Sequence, residues 1–317
     1  LCTMVLIRKY FMYKTSFLIA FSCFLCFLNI KAQNNKYDYI SSGYYELVYE
    51  ADIAHRVGND SLAFIKLQEA EKRCPMIYQQ MYQEMDLFCF LLLKNGQYDK
   101  SISYMDTLAT KYGTLPLGVL YEMDTDSIIR KELLLKVPNF YDSVVPRLYA
   151  KYENFYTPER DSVIQILKKM SDEDQKVRQG TIDYNKMQKT DSINLVKIFE
   201  FIDKYGYPDE KLLGNRNLPL YIAIGAMIVH QSKSQKLQEM LIRFVREGKC
   251  SPRTYGFFID HRMLGERKKF IFHIYSNATD DQIFDVDFVN QRRLAIGMPT
   301  REMERKRNEL IKQKYEL

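Results

Sequence analysis

No Walker loop, no dinucleotide fingerprint and no Gly-x-Ser-x-Gly elbow occurs in the 317 residues. Nucleotide binding by those loops and serine hydrolysis at that elbow are therefore excluded. Histidine is scarce: His55, His230, His261 and His273 are scattered without a His-x-x-x-His pair, so neither a metal nor a cofactor is expected. Tryptophan is absent, while tyrosine and phenylalanine are plentiful. A charge surplus is lacking too. The formal net charge of +6 owes much to Arg8, Lys9, Lys14 and Lys31, which lie in a stretch without acids, and the remainder is near balance. That balance removes the electrostatic case for nucleic acid or an anionic membrane surface as a partner. A late basic run, Arg301, Arg305, Lys306 and Arg307, is interleaved with Glu302, Glu304 and Glu309 and reads as an exposed helix of mixed charge.

The longest apolar run is Phe17 to Ile30, interrupted only by Ser22 and Asn29. It fits a secretory signal and is short of the about 20 residues of a membrane span. Residues 1–32 are expected to be a signal peptide starting at Met12 and cleaved after Ala32, giving an exported protein, periplasmic or extracellular, with no membrane contact afterwards. An uncleaved anchor is the alternative; lipidation at Cys23 is opposed by apolar residues continuing through Leu28. Cysteine is thin beyond this segment. Cys74, Cys89 and Cys250 read as three buried thiols, with a Cys74–Cys89 disulfide as the alternative.

Apolar and charged fractions of 46% and 27% are globular values, and the length suits two domains, expected at 33–155 and 156–317. The expected fold class is all-α: stacked antiparallel helical hairpins, then a compact helical domain with at most a short strand or hairpin. Tyr44 to Pro75 carries Ala51, Ala54, Ala63 and Ala70, large Leu47 and Leu67, a Gly58-Asn59-Asp60 turn and a closing proline. This layout resembles a tetratricopeptide repeat, and a weaker copy runs from Tyr82 through Gly96 to Gly113. Helices over Asp126 to Val137 and Tyr141 to Tyr152 are expected to complete the stack. The resemblance implies a concave surface for a peptide or protein partner, or else a cap packed on the second domain.

Six triplets, starting at Asp60, Asp106, Asp126, Asp142, Asp161 and Asp191, place Ser or Thr after Asp and an aliphatic residue third. Helix capping is the expected role, since carboxylate and hydroxyl oxygens accept orphan backbone N–H groups. The triplets are also similar to motifs glycosylated in exported bacterial proteins.

In the second half, Val163, Ile166, Leu167, Met170 and Val177 follow the rhythm of a helix with one buried face, and Asp174 shares that face with Arg178 one turn on. A second helix is expected from Asp191 to Tyr205, with Leu195, Val196, Phe199 and Ile202 inward and a stop at Gly206 and Pro208. A third, about Leu218 to His230, is apolar on nearly all sides and is expected to be the buried centre. An amphipathic helix ending at Gly248, a helix from Ser251, a possible strand over Phe270 to Tyr275 and two last helices broken by Gly297 and Pro299 complete the series.

Asp174-Gln175-x-x-Arg178, Asn194, Gly206 with Pro208, His230, Asp260 with Arg262, Arg292-Arg293 and Gly297-Met298-Pro299 occur in an order and spacing that resemble a bacterial family of domains of unknown function over about residues 160 to 300. The chain differs from it where Val229 precedes His230, where His261 separates Asp260 from Arg262, and around His273. In chemical terms Asp174 and His230 are candidate acid and base, and Arg178, Asn194, Asp260, Arg262, Arg292 and Arg293 are candidate ligand contacts. Two functions follow. The first is an exported scaffold or interaction protein acting through its repeat-like half; the alternative is a hydrolase or transferase on a small anionic substrate. A purely structural network of Asp–Arg pairs is the competing account of the same residues.

Overall fold

The computed structural model describes residues 36–79, 82–116, 118–121, 126–179, 183–267, 269–274 and 279–315. The expected signal segment, with Met12 and Cys23, lies outside them. Residues Tyr37–Leu317 form one compact unit. The fold is all-α: among the described residues there is no strand, and a single isolated bridge between Phe270 and Ile283 stands where the sequence allows a short strand.

Helices α1 (Tyr44–Arg56) and α2 (Asp60–Arg73) form the first hairpin. Gly58 turns it at φ +80°, and the Asn59 side chain accepts from the Leu62 amide at 3.1 Å. Ala51, Ala54, Ala63 and Ala70 are all buried, so the small residues do let the two backbones approach. Helices α3 (Glu84–Lys94) and α4 (Tyr98–Tyr112) repeat the arrangement. Here the buried Ser101 hydroxyl donates to the Cys89 carbonyl at 2.7 Å, which satisfies a polar group at a crossing where bulk does not fit. Helix α5 (Ser127–Lys136) is followed by a π turn at Phe140–Val144 and by α6 (Val145–Phe155). Of the six Asp-initiated triplets, Asp126 caps a helix, accepting from the amides of Ile128 and Ile129. Asp60, Asp142 and Asp161 lie in first helical turns, whereas Asp106 and Asp191 lie inside helices and pair with arginines, so capping does not account for those two.

The second half runs through α7 (Pro158–Lys176), α8 (Tyr184–Tyr205), the short α9 (Glu210–Leu213), α10 (Leu218–His230), α11 (Gln235–Arg246), α12 (Pro252–Arg267), α13 (Val289–Ala295) and α14 (Arg301–Tyr315). Helix α10 packs on α7 and α12, α8 packs on α7, and α14 returns to α1. That return joins the two halves. The Tyr45 hydroxyl donates to the Val245 carbonyl at 2.7 Å, the Tyr49 hydroxyl donates to the Gly297 carbonyl at 2.8 Å, and Asp52 accepts from Arg307 at 2.7 Å.

Three faces differ from the sequence expectation. The buried stripe of α7 starts at Ile164 and leaves Ile166 exposed. Helix α8 starts at Tyr184, capped by Asp183, and buries Asn194, Ile198, Phe201 and Ile202, so that Val196 is 56% exposed. Helix α10 buries only Ile224, Met227 and Ile228, and Ile222 is 65% exposed. Its apolar composition concealed a two-sided helix, because hydropathy alone cannot register which side has a neighbour. Cys74, Cys89 and Cys250 are buried free thiols. Among the described residues no helix is long and apolar enough to cross a membrane.

Asp86 on α3 accepts from the backbone amides of Val119 and Gly118, yet burial pushes its carboxyl up to about 7. The folded-state value is raised, so the native state keeps a proton that the unfolded chain releases. Its contribution is complete below about pH 4, the ordinary carboxylate value, and is lost as pH rises through about 7. Urea unfolding at fixed pH is expected to show stability declining over that window, with a shallower decline in Asp86→Asn. An unchanged slope in the variant would contradict this assignment.

Candidate functional site

The 3.6-residue rhythm of α7 places Asp174 in the stripe of Leu167 and Met170, and packing against α8 and α10 leaves it 0% exposed. A carboxylate there is tolerable only if its oxygens are bonded. Asp174 Oδ1 accepts from Asn194 Nδ2 at 3.2 Å, and Oδ2 accepts from Gln175 Nε2 at 3.0 Å and lies 3.0 Å from His230 Nδ1. Arg178 spans two acids. Its Nη1 is 3.4 Å from Asp174 Oδ1 and donates to the Asp174 carbonyl at 3.2 Å, while Nη2 donates to Asp191 Oδ1 at 2.5 Å.

His230 is the last residue of α10 and keeps 23% of its side chain accessible. With Nδ1 held by a sealed carboxylate, Nε2 is the nitrogen left for chemistry. His261 on α12 faces it, with ring centroids 6.4 Å apart. Its Nδ1 is 2.9 Å from the Ser232 hydroxyl, and burial pushes its pKa down, with the neighbouring His230 and Arg178 acting in the same direction. The lowered value keeps His261 neutral at pH 7.

Both rings line a cavity of about 480 Å³ between α10 and α12. A larger groove of about 980 Å³ lies elsewhere, edged by Arg160, Lys211, Lys236, Arg243 and Lys249, but it holds none of the candidate residues. Its cations sit on long side chains over rings, as Lys236 does above Phe199 at 4.4 Å. We assign the site to the smaller cavity because preorganised acid–base geometry carries more chemical meaning than volume.

Asp174, Asp191 and His230 offer ligand atoms within 4.8 Å of one another, a set able to hold a metal ion. The Arg178 guanidinium already supplies positive charge to both carboxylates of that set.

The remaining candidates belong to a second network. Asp260, also 0% exposed, accepts from the amides of Ile271, Phe272 and Ile274 at 2.8, 2.8 and 3.0 Å. Burial pushes its carboxyl up, and those amides together with Arg293 pull it back. Arg293, 0% exposed, donates to the carbonyls of Phe272, His273 and Pro299 and to Glu304. Arg292 donates to the carbonyls of Ile271, Phe284 and Asp285. These three side chains fix irregular backbone that has no ladder of its own. Arg262 is separate again, donating to Gln238 Oε1 at 2.5 Å.

The structure therefore brings Asp174, Arg178, Asn194 and His230 together, and it builds Asp260, Arg292 and Arg293 into a different place. Sequence reading missed Asp191 as the partner of Arg178, Gln175 as a donor to Asp174, and His261 as the facing ring. Asp191 was legible only as one of six similar triplets. His261 was visible as an interruption of the Asp–Arg pair. No family model, curated protein or solved structure matches the chain.

Arg293→Ala would leave three carbonyls without this donor and Glu304 with Arg253 alone. It is expected to cost about 3–5 kcal/mol, the range for breaking a buried pair, whereas Arg262→Ala should change stability by less than about 1 kcal/mol. Equilibrium denaturation of both variants checks this, and a mild Arg293→Ala would show that the network is dispensable.

Proposed function

We propose that the chain is a hydrolase or transferase for a small molecule, with His230 as the general acid–base group in the cavity between α10 and α12. One observation carries this reading: His230 Nδ1 lies 3.0 Å from a carboxylate that has no contact with water. Such a partner fixes ring orientation and tautomer and stabilises the imidazolium formed when Nε2 takes a proton. Asn194 and Gln175 in turn hold the carboxylate, and Arg178 bridges it to Asp191. His261, kept neutral, is available to hydrogen-bond a developing oxygen or hydroxyl.

The scaffold reading has weaker support. A partner-binding surface on the hairpins would draw on α1, but the side of α1 bearing Tyr45, Tyr49 and Asp52 is covered by the chain's own Val245, Gly297 and Arg307. That geometry favours the hairpins as a brace for the helices that build the cavity.

His230→Gln is expected to lower kcat by about 10²- to 10⁴-fold with little change in KM, the range for removing a general acid–base group. Asp174→Asn should lower it less. The assay is a panel of 4-nitrophenyl esters and phosphates on the purified full chain. Turnover that survives His230→Gln intact would refute the assignment.

A further inference from the structure

The apolar side of α10 that lines the cavity is the feature left unexplained. Ile222, Gly225, Ala226 and Val229 recur every three or four residues along this helix and face the cavity, with Phe257 of α12 opposite. A helix so apolar is ordinarily buried all round, and here Ile222 is 65% exposed. A Cβ built on Gly225 meets nothing within 4 Å, so the missing side chain opens space that no protein atom fills. The volume, about 480 Å³, falls in the range of small-molecule sites, roughly 300–1,000 Å³.

The charges around the slot are already committed. Arg178 is bound to Asp191 and Asp174, Arg262 to Gln238, and Arg253, which does line the slot, to Glu304. Glu210 is also among the lining residues and opposes an anion. Among the described residues lining the slot, one buried side-chain polar atom is left without a hydrogen bond. Gln79 is 3% exposed and lines the slot, and its Nε2 makes no hydrogen bond. Gln79 lies beside the Tyr45 hydroxyl, which itself donates to the Val245 carbonyl.

We infer that the α10–α12 slot takes a neutral, mainly apolar small molecule bearing a hydroxyl or carbonyl oxygen, and not the anionic substrate that the arginines suggest in sequence. Its apolar body lies along Ile222, Gly225, Ala226 and Val229, its oxygen accepts from Gln79 Nε2, and its other end reaches His230. This rests on the reading of His230 as the acid–base group, but binding can be measured apart from turnover.

The test uses the full chain, with 4-methylphenol as the neutral probe and 4-methylbenzoate as its anionic counterpart, followed by ligand-detected NMR. The wild type should bind 4-methylphenol and bind the benzoate at least about tenfold more weakly, the cost of placing a charge without a partner in an apolar site. Gly225→Val should abolish phenol binding while the unfolding midpoint holds or rises, since valine is the better helix former. Gln79→Met should weaken it by about fivefold, the worth of one hydrogen bond. Tighter binding of the benzoate, or phenol binding undiminished in Gly225→Val, would overturn the inference. So would a wild-type dimer that Gly225→Val splits, since a second copy would then cover the face. Loss of phenol dependence on Gly225 with turnover still dependent on His230 would sink the ligand class alone. Intact binding with turnover indifferent to His230 would sink the catalytic reading alone.

Discussion

A carboxylate shut away from water where α7, α8 and α10 meet sets the terms for the rest of the second half. Asp174 is accommodated there because four side chains converge on it, Gln175 and Arg178 from its own chain segment, Asn194 from α8 and His230 from α10. The same contacts fix the rotation of each helix about its axis. Asn194 must face inward, which turns α8 so that Val196 is left in solvent, and His230 must end α10 at the carboxylate, which turns the Gly225 side toward α12.

The molecule buries charge twice, with different results. Around Arg293 the guanidinium is taken up by three carbonyls and Glu304, and the product is a fixed stretch of irregular backbone from Phe270 to Ile274. Around Asp174 the final partner is an imidazole, which has a second nitrogen. That difference in valence separates a strut from a site: guanidinium and carboxylate can neutralise each other completely, whereas a histidine held at one nitrogen still presents the other.

Much of the framework was legible in the sequence because it rests on local rules. The limits of α10, Leu218 and His230, follow from an apolar run ended by polar residues, and the hairpin turns follow from Gly58 and Gly96. Asp174 was legible too, since helical period put it on the face of Met170. The companions were not. Asp191 and Arg178 are thirteen positions apart and meet only because α7 and α8 are antiparallel neighbours. The separation of Asp260 and Arg292–Arg293 from His230 was equally hidden, since order and spacing along a chain carry no distance between helices. Helix α10 misled for a related reason: composition reports that a side is apolar but not whether the fold supplies something to lie against it.

The three polar stitches from α1 to the C-terminal part also bear on how the chain acquires its structure. Tyr45 bonds a residue 200 positions away, Tyr49 one 248 away, and Asp52 one 255 away. The chain is made from the other end, at about 5–20 residues per second. The first hairpin must then wait on the order of 10–50 s with that aromatic side uncovered before its counterpart has been synthesised. During that interval it is a sticky surface with no legitimate occupant, and loop-closure entropy penalises each contact that would cover it. The brace that supports the cavity is thus the last part of the molecule to be secured, and a holding factor in the cell would find its substrate in α1.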